Sequence, residues 1–274
     1  MKITPTYLDG LLLALDAAPN VVAVIDSHRC EMERAYKLDT GNSRLGNLVG
    51  DGPYARNQRV FANQRDKSHD SSGAEDGLLA TLGVAASRHP GKPILVLRGL
   101  LSMFIHTDVE GVAETASRRF GSRFIVVPQN SLDEDWLDAW ARVSNALEPL
   151  ALDETTTTTT PIGVGLPLFR QEGDERGNMK EVNRLVSSAG GGQPLWLLGG
   201  SPVGEERRPR SALRLALPYV SHAKDLGERR SLNLPLPIGF EASARFVRAV
   251  AASFGNQFHS GSYPLHSERY IEEE

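Results

Sequence analysis

Cys30 heads the short list of side chains that could do chemistry in this sequence, because it is the single cysteine among 274 residues. It follows the apolar run Val21-Val22-Ala23-Val24-Ile25 across Asp26-Ser27-His28-Arg29. That order predicts the carboxyl end of a strand in an open α/β sheet, where ligands bind. A thiol there suits metal or cluster ligation, with Asp26 and His28 beside it. The alternative is a small buried apolar residue. Gly199-Gly200-Ser201 is the second candidate: it ends the run Pro194-Leu195-Trp196-Leu197-Leu198, and Ser201-Pro202 fits an N-cap followed by proline at N1. Free backbone N–H groups at such a junction can hold a phosphate or carboxylate. The stretch matches neither G-x-G-x-x-G nor a P-loop, so a tight turn is its other reading. His259 and His266 do not have the spacing of a helical metal pair. No Ser-His-Asp order or paired-cysteine motif points to a hydrolase or a zinc site.

The elements that must position these residues read as an α/β fold. Leu78, Leu79, Leu82, Ala85 and Ala86 recur at helical spacing, and Pro90-Gly91 ends that helix. Ile94-Leu95-Val96-Leu97 is a short, continuous apolar strand, the pattern of a sheet covered on both faces. Thr107-Asp108-Val109-Glu110 reads as a capping box with Thr107 at the N-cap. Val109, Val112, Ala113, Ala116 and Phe120 form the buried stripe behind it, and Gly121 ends the helix. Phe124-Ile125-Val126-Val127 is the next strand, and Ser131-Leu132-Asp133-Glu134 reads as a second capping box. After Thr155 to Thr160, a polar run that reads as a linker, with an ordered edge strand as its other reading, the grammar restarts. Strands are expected at Ile162–Leu166, Pro194–Leu198, Leu213–Leu217 and Leu232–Leu236, with helices from Asn178 and over Glu241–Phe254. The expectation is two consecutive Rossmann-like domains with parallel sheets flanked by helices. The first spans 1–152 and carries Cys30, the linker is 153–160, the second domain is 161–255 and the tail is 256–274. Residues 37–75, rich in Gly, Asn, Asp, Ser and Arg, read as one long loop. No repeat links the two halves at the level of sequence.

Composition bounds the function. Hydrophobic content of 40% and charged content of 23% are ordinary for a globular protein. A net charge of −4 gives no electrostatic case for nucleic acid. One cysteine excludes an intrachain disulfide framework. Neither a signal-peptide core nor a run of about 18 apolar residues is present, so no membrane span is expected and the reading is cytoplasmic.

Three stretches together resemble the nitrogenase component 1-type oxidoreductase superfamily, which includes nitrogenase catalytic subunits, cofactor-assembly scaffolds and dark-operating protochlorophyllide reductases. The first runs from Ser72-Gly73-Ala74-Glu75-Asp76-Gly77 through Ile94–Leu100 to Ile105-His106-Thr107-Asp108-Val109. It is similar to the family's Gly-Gly-Glu-led helix, strand, cysteine and Ile-Gly-Asp-Asp. The second is Leu166-Pro167-Leu168 with Gly177–Val186, and the third is Asn233–Ser243, which contains Pro237-Ile238-Gly239. The resemblance implies an oligomeric subunit, homo- or hetero-, with an iron–sulfur cluster at a subunit interface and electrons from an ATP-dependent iron–sulfur reductase. Cys30 falls where the family has a Gly-Pro-x-Gly-Cys ligand. The later family cysteine aligns with Leu100, His106 replaces the glycine of Ile-Gly-Asp-Asp, and Thr107 its first aspartate. The family's third domain would begin near Gly255, so the chain reads as a divergent member lacking it. A four-iron cluster takes four thiolates or near equivalents. The expectation is therefore a subunit that shares a cluster with a partner chain through Cys30. The alternative is a non-catalytic cofactor- or tetrapyrrole-binding or scaffold relative without a cluster.

Overall fold

The computed structural model describes residues 6–28, 59–65, 75–99, 102, 104–127, 133–158, 162–164, 175–198, 203, 208–211, 214–216 and 231–254. The first half consists of α1 (Tyr7–Asp16), β1 (Val22–His28), β2 (Val60–Arg65), α2 (Glu75–Arg88), β3 (Ile94–Arg98), α3 (Val109–Phe120), β4 (Phe124–Val127), α4 (Trp136–Ala151) and β5 (Leu152–Thr158). The second holds β6 (Ile162–Val164), α5 (Glu175–Ser188), β7 (Leu195–Trp196), β8 (Arg208–Ser211), β9 (Arg214–Ala216), β10 (Ser231–Asn233) and α6 (Phe240–Ser253). The α/β class with parallel sheets flanked by helices is as the sequence predicts.

Two four-stranded sheets organise the chain, in the orders β2-β1-β3-β4 and β7-β6-β9-β10. Every pairing in them is parallel. Each sheet thus places its first strand between its second and third, a shared winding that has no counterpart in residue identity. Such winding is enforced by right-handed crossovers between short apolar strands, and many sequences satisfy it.

Strand alternation divides the first half into two cores. Val22 and Val24 face α2 and α3 with Phe61, Ile94 and Val96. Ala23 and Ile25 face α1 and α4 with Val60, Leu95 and Leu97. Burial on both faces is why these strands read as unbroken apolar runs. A third core joins Val182, Leu185 and Val186 of α5 to Phe246, Val247 and Val250 of α6. Leu197, Leu198 and Val203 pack instead into the core of the first half. Asn20 reinforces that attachment: its Nδ2 donates to the Val203 carbonyl and its Oδ1 accepts from the Val203 N–H, both at 2.7 Å. The second half is fastened in this way to the amino end of β1. One Arg59 nitrogen donates to the carbonyls of Leu15, Ala18 and Val21 at 3.0, 2.8 and 2.9 Å, tying the start of β2 to the turn between α1 and β1.

Several expectations are corrected. Of the expected linker 153–160, residues 153–158 lie in strand β5, paired in parallel with β8, and 159–160 lie outside the described residues; a threonine run has the branched side chains a strand favours. The stretch 37–75 is not one loop, because it contains β2, whose Val60 and Phe61 are buried. Both capping boxes are misplaced. Asp108, not Thr107, caps α3, its side chain accepting from Gly111 N at 2.9 Å. Asp135 caps α4, accepting from Leu137 N and Asp138 N at 2.8 and 3.2 Å. Aspartate competes equally with threonine and serine for the N-cap, so the motif locates a helix start better than its register. Gly121 ends α3 in the left-handed region at φ 65°, as expected. Helix α5 begins at Glu175, a turn earlier than predicted. Among the described residues no helix is long and apolar enough to cross a membrane.

Tyr7 carries a pH prediction. Burial pushes its phenol well above the ordinary range, opposed by Arg142 and reinforced by Glu134 and Asp138. A raised folded-state value means the folded protein keeps a proton that the unfolded chain gives up above about pH 10. The associated stability is therefore present below pH ~10 and lost as pH rises past it. Urea midpoints measured from pH 8 to 11 should fall more steeply for the wild type than for Tyr7→Phe.

Candidate functional site

The carboxyl end of the first sheet holds a buried polar arrangement. Strand β2 lies on one side of β1, and β3 and β4 lie on the other. The junction between β1 and β3 is therefore a topological switch point, where open α/β sheets place their ligands. Asp26 stands there, in register with Asn63 on β2 and Arg98 on β3. These three continue the rows of Val24, Phe61 and Val96, so they share the face covered by α2 and α3.

Asp26 is fully buried. Asn63 Nδ2 donates to its Oδ1 at 2.8 Å. The buried Ser102 hydroxyl is shared between the Asp26 carbonyl, at 3.0 Å, and Oδ2 of the same residue. Gly99 N donates to the Asp26 carbonyl at 2.9 Å, and Thr107 N to the Ser102 carbonyl at 3.2 Å. Helix α2 closes over the knot: a Cβ on Gly77 would lie 3.0 Å from Asn63 Oδ1. Beside it, Arg98 at the end of β3 is paired with Glu110 in the first turn of α3. Both Asp26 carboxylate oxygens are thus engaged within the chain. Asp26 acts here as a structural anchor, not as a ligand presented outward.

Among the described residues, what the switch point presents outward comes from the connection between β3 and α3. Phe104 is 64% exposed. His106 is exposed and is the one non-glycine residue with positive φ among those described, at 52°. Its backbone holds a conformation natural to glycine. A left-handed residue other than glycine costs about 1–2 kcal/mol, and glycine loses about 0.4–1 kcal/mol through its freer unfolded chain. His106→Gly should therefore stabilise the protein by about 0.5–1 kcal/mol, read as a higher urea midpoint with unchanged slope.

Cys30 lies two residues beyond the end of β1 and outside the described residues, as do Leu100, Gly199, Gly200, Ser201, His259 and His266. The segments flanking Gly199–Ser201 are nonetheless placed, since Leu198 and Val203 belong to the first core and Val203 is bound to Asn20. Asn20 precedes β1, whereas Cys30 follows it. Thr107 is buried. Among the described residues no three His, Cys, Asp or Glu side chains are grouped to hold a metal. Sequence reasoning missed Asn63 and Ser102. Asn63 was legible only through the short apolar run Val60-Phe61-Ala62 before it, and Ser102 carried no signal.

Known proteins bear on this arrangement. A solved chain described as nitrogenase Cp1 at pH 6.5 superposes with a TM-score of 0.69 at 13% sequence identity, over 99% of this chain and 62% of that one. A second, nitrogenase Cp1 at pH 5, gives 0.62 at 14% identity, over 93% and 52%. The chain spans less than two thirds of the length of either, and at these identities the likeness concerns the fold. No curated protein matches the sequence at a significant level. The family model for nitrogenase component 1 type oxidoreductases matches residues 63–274. That match takes in Asn63, Ser102 and His106 and leaves Cys30 outside it. With the parallel sheets, the switch-point connection and a match over more than three quarters of the sequence in agreement, this chain belongs to the nitrogenase component 1-type oxidoreductase family.

Proposed function

We propose that the chain is an oxidoreductase subunit of the component 1 type that contributes Cys30 to an iron–sulfur cluster completed by a partner chain. Its electrons come from an ATP-dependent iron–sulfur reductase. The observation that supports this reading is that the only cysteine follows, by two residues in the sequence, the strand β1 that borders the switch point of the first sheet, in a chain of this family. The residues of this chain do not fit a complete cluster. One cysteine faces a need for four thiolates or near equivalents, and no described group of side chains makes up the difference. The other ligands therefore belong to the partner, a component 1-type subunit in a homo- or hetero-oligomer. The chain's own part is one thiolate and a rigid sheet edge to hold it, within two Rossmann-like domains at 1–152 and 161–255.

The test is anaerobic purification of the full chain, alone and with a co-expressed component 1-type partner, followed by iron and acid-labile sulfide assays. Iron and sulfide are expected in the complex and absent from the same complex carrying Cys30→Ala. Absence of iron from every preparation would sink the cluster reading.

The lone cysteine also favours a second reading, a scaffold or cofactor-binding relative without a cluster that takes a tetrapyrrole or a cofactor precursor. In that case the backbone N–H groups of Gly199-Gly200-Ser201 hold an anionic group of the ligand. A saturable absorbance change on titrating the iron-free chain with a carboxylated tetrapyrrole supports this reading. An unsaturable, linear change removes it.

A further inference from the structure

Among the described residues four large apolar side chains are exposed: Val84 on α2, Phe104, Ile238 and Phe240. Ile238 and Phe240, 76% and 57% exposed, flank Gly239 where the chain enters α6. The turn that carries them is firmly held. Pro235 and Pro237 each fix a backbone dihedral. Ile238 N donates to the Leu236 carbonyl at 2.9 Å, Ser243 N to the Gly239 carbonyl at 3.1 Å, and Ser243 Oγ to the Pro237 carbonyl at 3.1 Å. Behind the turn, Phe246, Val247 and Val250 seat the opposite face of α6 in the third core. The two apolar side chains are thus fixed before a partner arrives, which lowers the ordering cost of binding. The exposed face of α6 continues with Glu241, Arg245 and Arg248, at i, i+4 and i+7. Arg245 lies 3.6 Å from Glu241, an exposed pair of little strength, and among the described residues Arg248 has no ion partner.

Phe104 has the opposite surroundings. Asp108, Glu110 and Glu114 are exposed along the start of α3, and the sequence holds no Lys or Arg from Phe104 to Ser117. Glu110 is paired with Arg98, and Glu114 lies 3.5 Å from Arg118 in another exposed, weak pair. One exposed apolar surface is therefore rimmed by carboxylates and the other by guanidinium groups, and the two belong to different halves of the chain. Packing α6 on a second α6 sets arginines against arginines. Packing it on the Phe104 surface of another copy satisfies both rims.

We propose that the chain associates with a second copy of itself, Ile238 and Phe240 of one copy packing on Phe104 of the other and Arg245 and Arg248 meeting the carboxylates of α3. The contact joins two different surfaces, so two copies either exchange both junctions about a two-fold axis or run head to tail. It goes beyond the cluster reading and uses none of the residues on which that reading rests.

Sedimentation velocity of the full-length, iron-free chain over a series of concentrations, at low and high salt, is the test. The wild type should associate at micromolar concentrations and weaken as salt screens the charged rims. Ile238→Ser combined with Phe240→Ser should raise the dissociation constant at least about tenfold. Its circular dichroism melt should match the wild type, because both side chains lie outside the cores. Arg248→Glu and Glu114→Arg should each weaken self-association about fivefold or more. An equimolar mixture of these two variants should restore it, since the intact α6 of one meets the intact α3 of the other. A wild type that stays monomeric at every concentration overturns the proposal, even if a co-expressed component 1-type subunit covers the same residues. Association left unchanged by the Ile238 and Phe240 substitutions overturns it too, as does a mixture no stronger than either variant alone. Iron is not read in this experiment, so its failure and failure of the cluster reading are separate results.

Discussion

Alanine at position 10 is expected to destabilise the protein by about 3 kcal/mol, as an overpacked contact that cannot relax. Gly10 lies buried on α1 where that helix crosses the start of α4. A Cβ there would sit 2.0 Å from the Trp136 carbonyl oxygen and 2.7 Å from its carbon and Cα. All three are backbone atoms, so no rotamer change relieves the clash and the helices must separate. The gain in helix propensity on replacing glycine, about 1 kcal/mol, opposes the loss without cancelling it. Gly177 is the control: it lies in α5, and a Cβ added to it would meet nothing within 4 Å. Gly177→Ala should therefore show the propensity gain alone. Urea midpoints with unchanged slopes check both. An unaltered midpoint for Gly10→Ala would mean that α1 and α4 can part freely.

Trp140→Ala is expected to cost about 3–5 kcal/mol, the range for deleting a large buried aromatic side chain. Trp140 is 2% exposed within the core formed by α1, α4 and one face of the first sheet. Its Nε1 is buried with no hydrogen-bond partner among the described residues, and a buried donor in that state is itself costly. Trp140→Phe removes the donor and keeps most of the apolar contact, so its cost should stay below about 1.5 kcal/mol. Circular dichroism melts of the two variants give the comparison. A Phe variant as unstable as the Ala variant would mean that the indole nitrogen is bonded in solution.

The Cys30→Ala assay and these two packing variants probe different levels of the molecule. Gly10 and Trp140 report on how the α1–α4 layer is closed over the first sheet. The Asp26 knot lies at the carboxyl edge of that sheet. The edge inherits its precision from the layer beneath: Asn63 meets Asp26 only because β2 and β1 pair in the register that sets Ala62 opposite Ile25.

The class of fold, the positions of most helices and strands, and the family were all legible in the order of residues. Apolar periodicity reports which face of an element is buried, and β3, β4, α2 and α3 follow it closely. Scarcity, its place after an apolar run and the family resemblance together singled out Cys30. Strand β2 escaped that reading, because three apolar residues in polar surroundings carry little periodicity. The threonines of β5 read as a linker because their polarity outweighed their branched shape. Strand order was not legible, nor was the repeated winding of the two sheets that comes with it. The fastening of Val203 to Asn20 and the meeting of Asp26, Asn63 and Ser102 likewise emerge only in three dimensions. These last three are spread over 76 residues of chain. Their contact depends on parallel pairing between strands distant in sequence, a long-range arrangement that no local pattern of residues encodes.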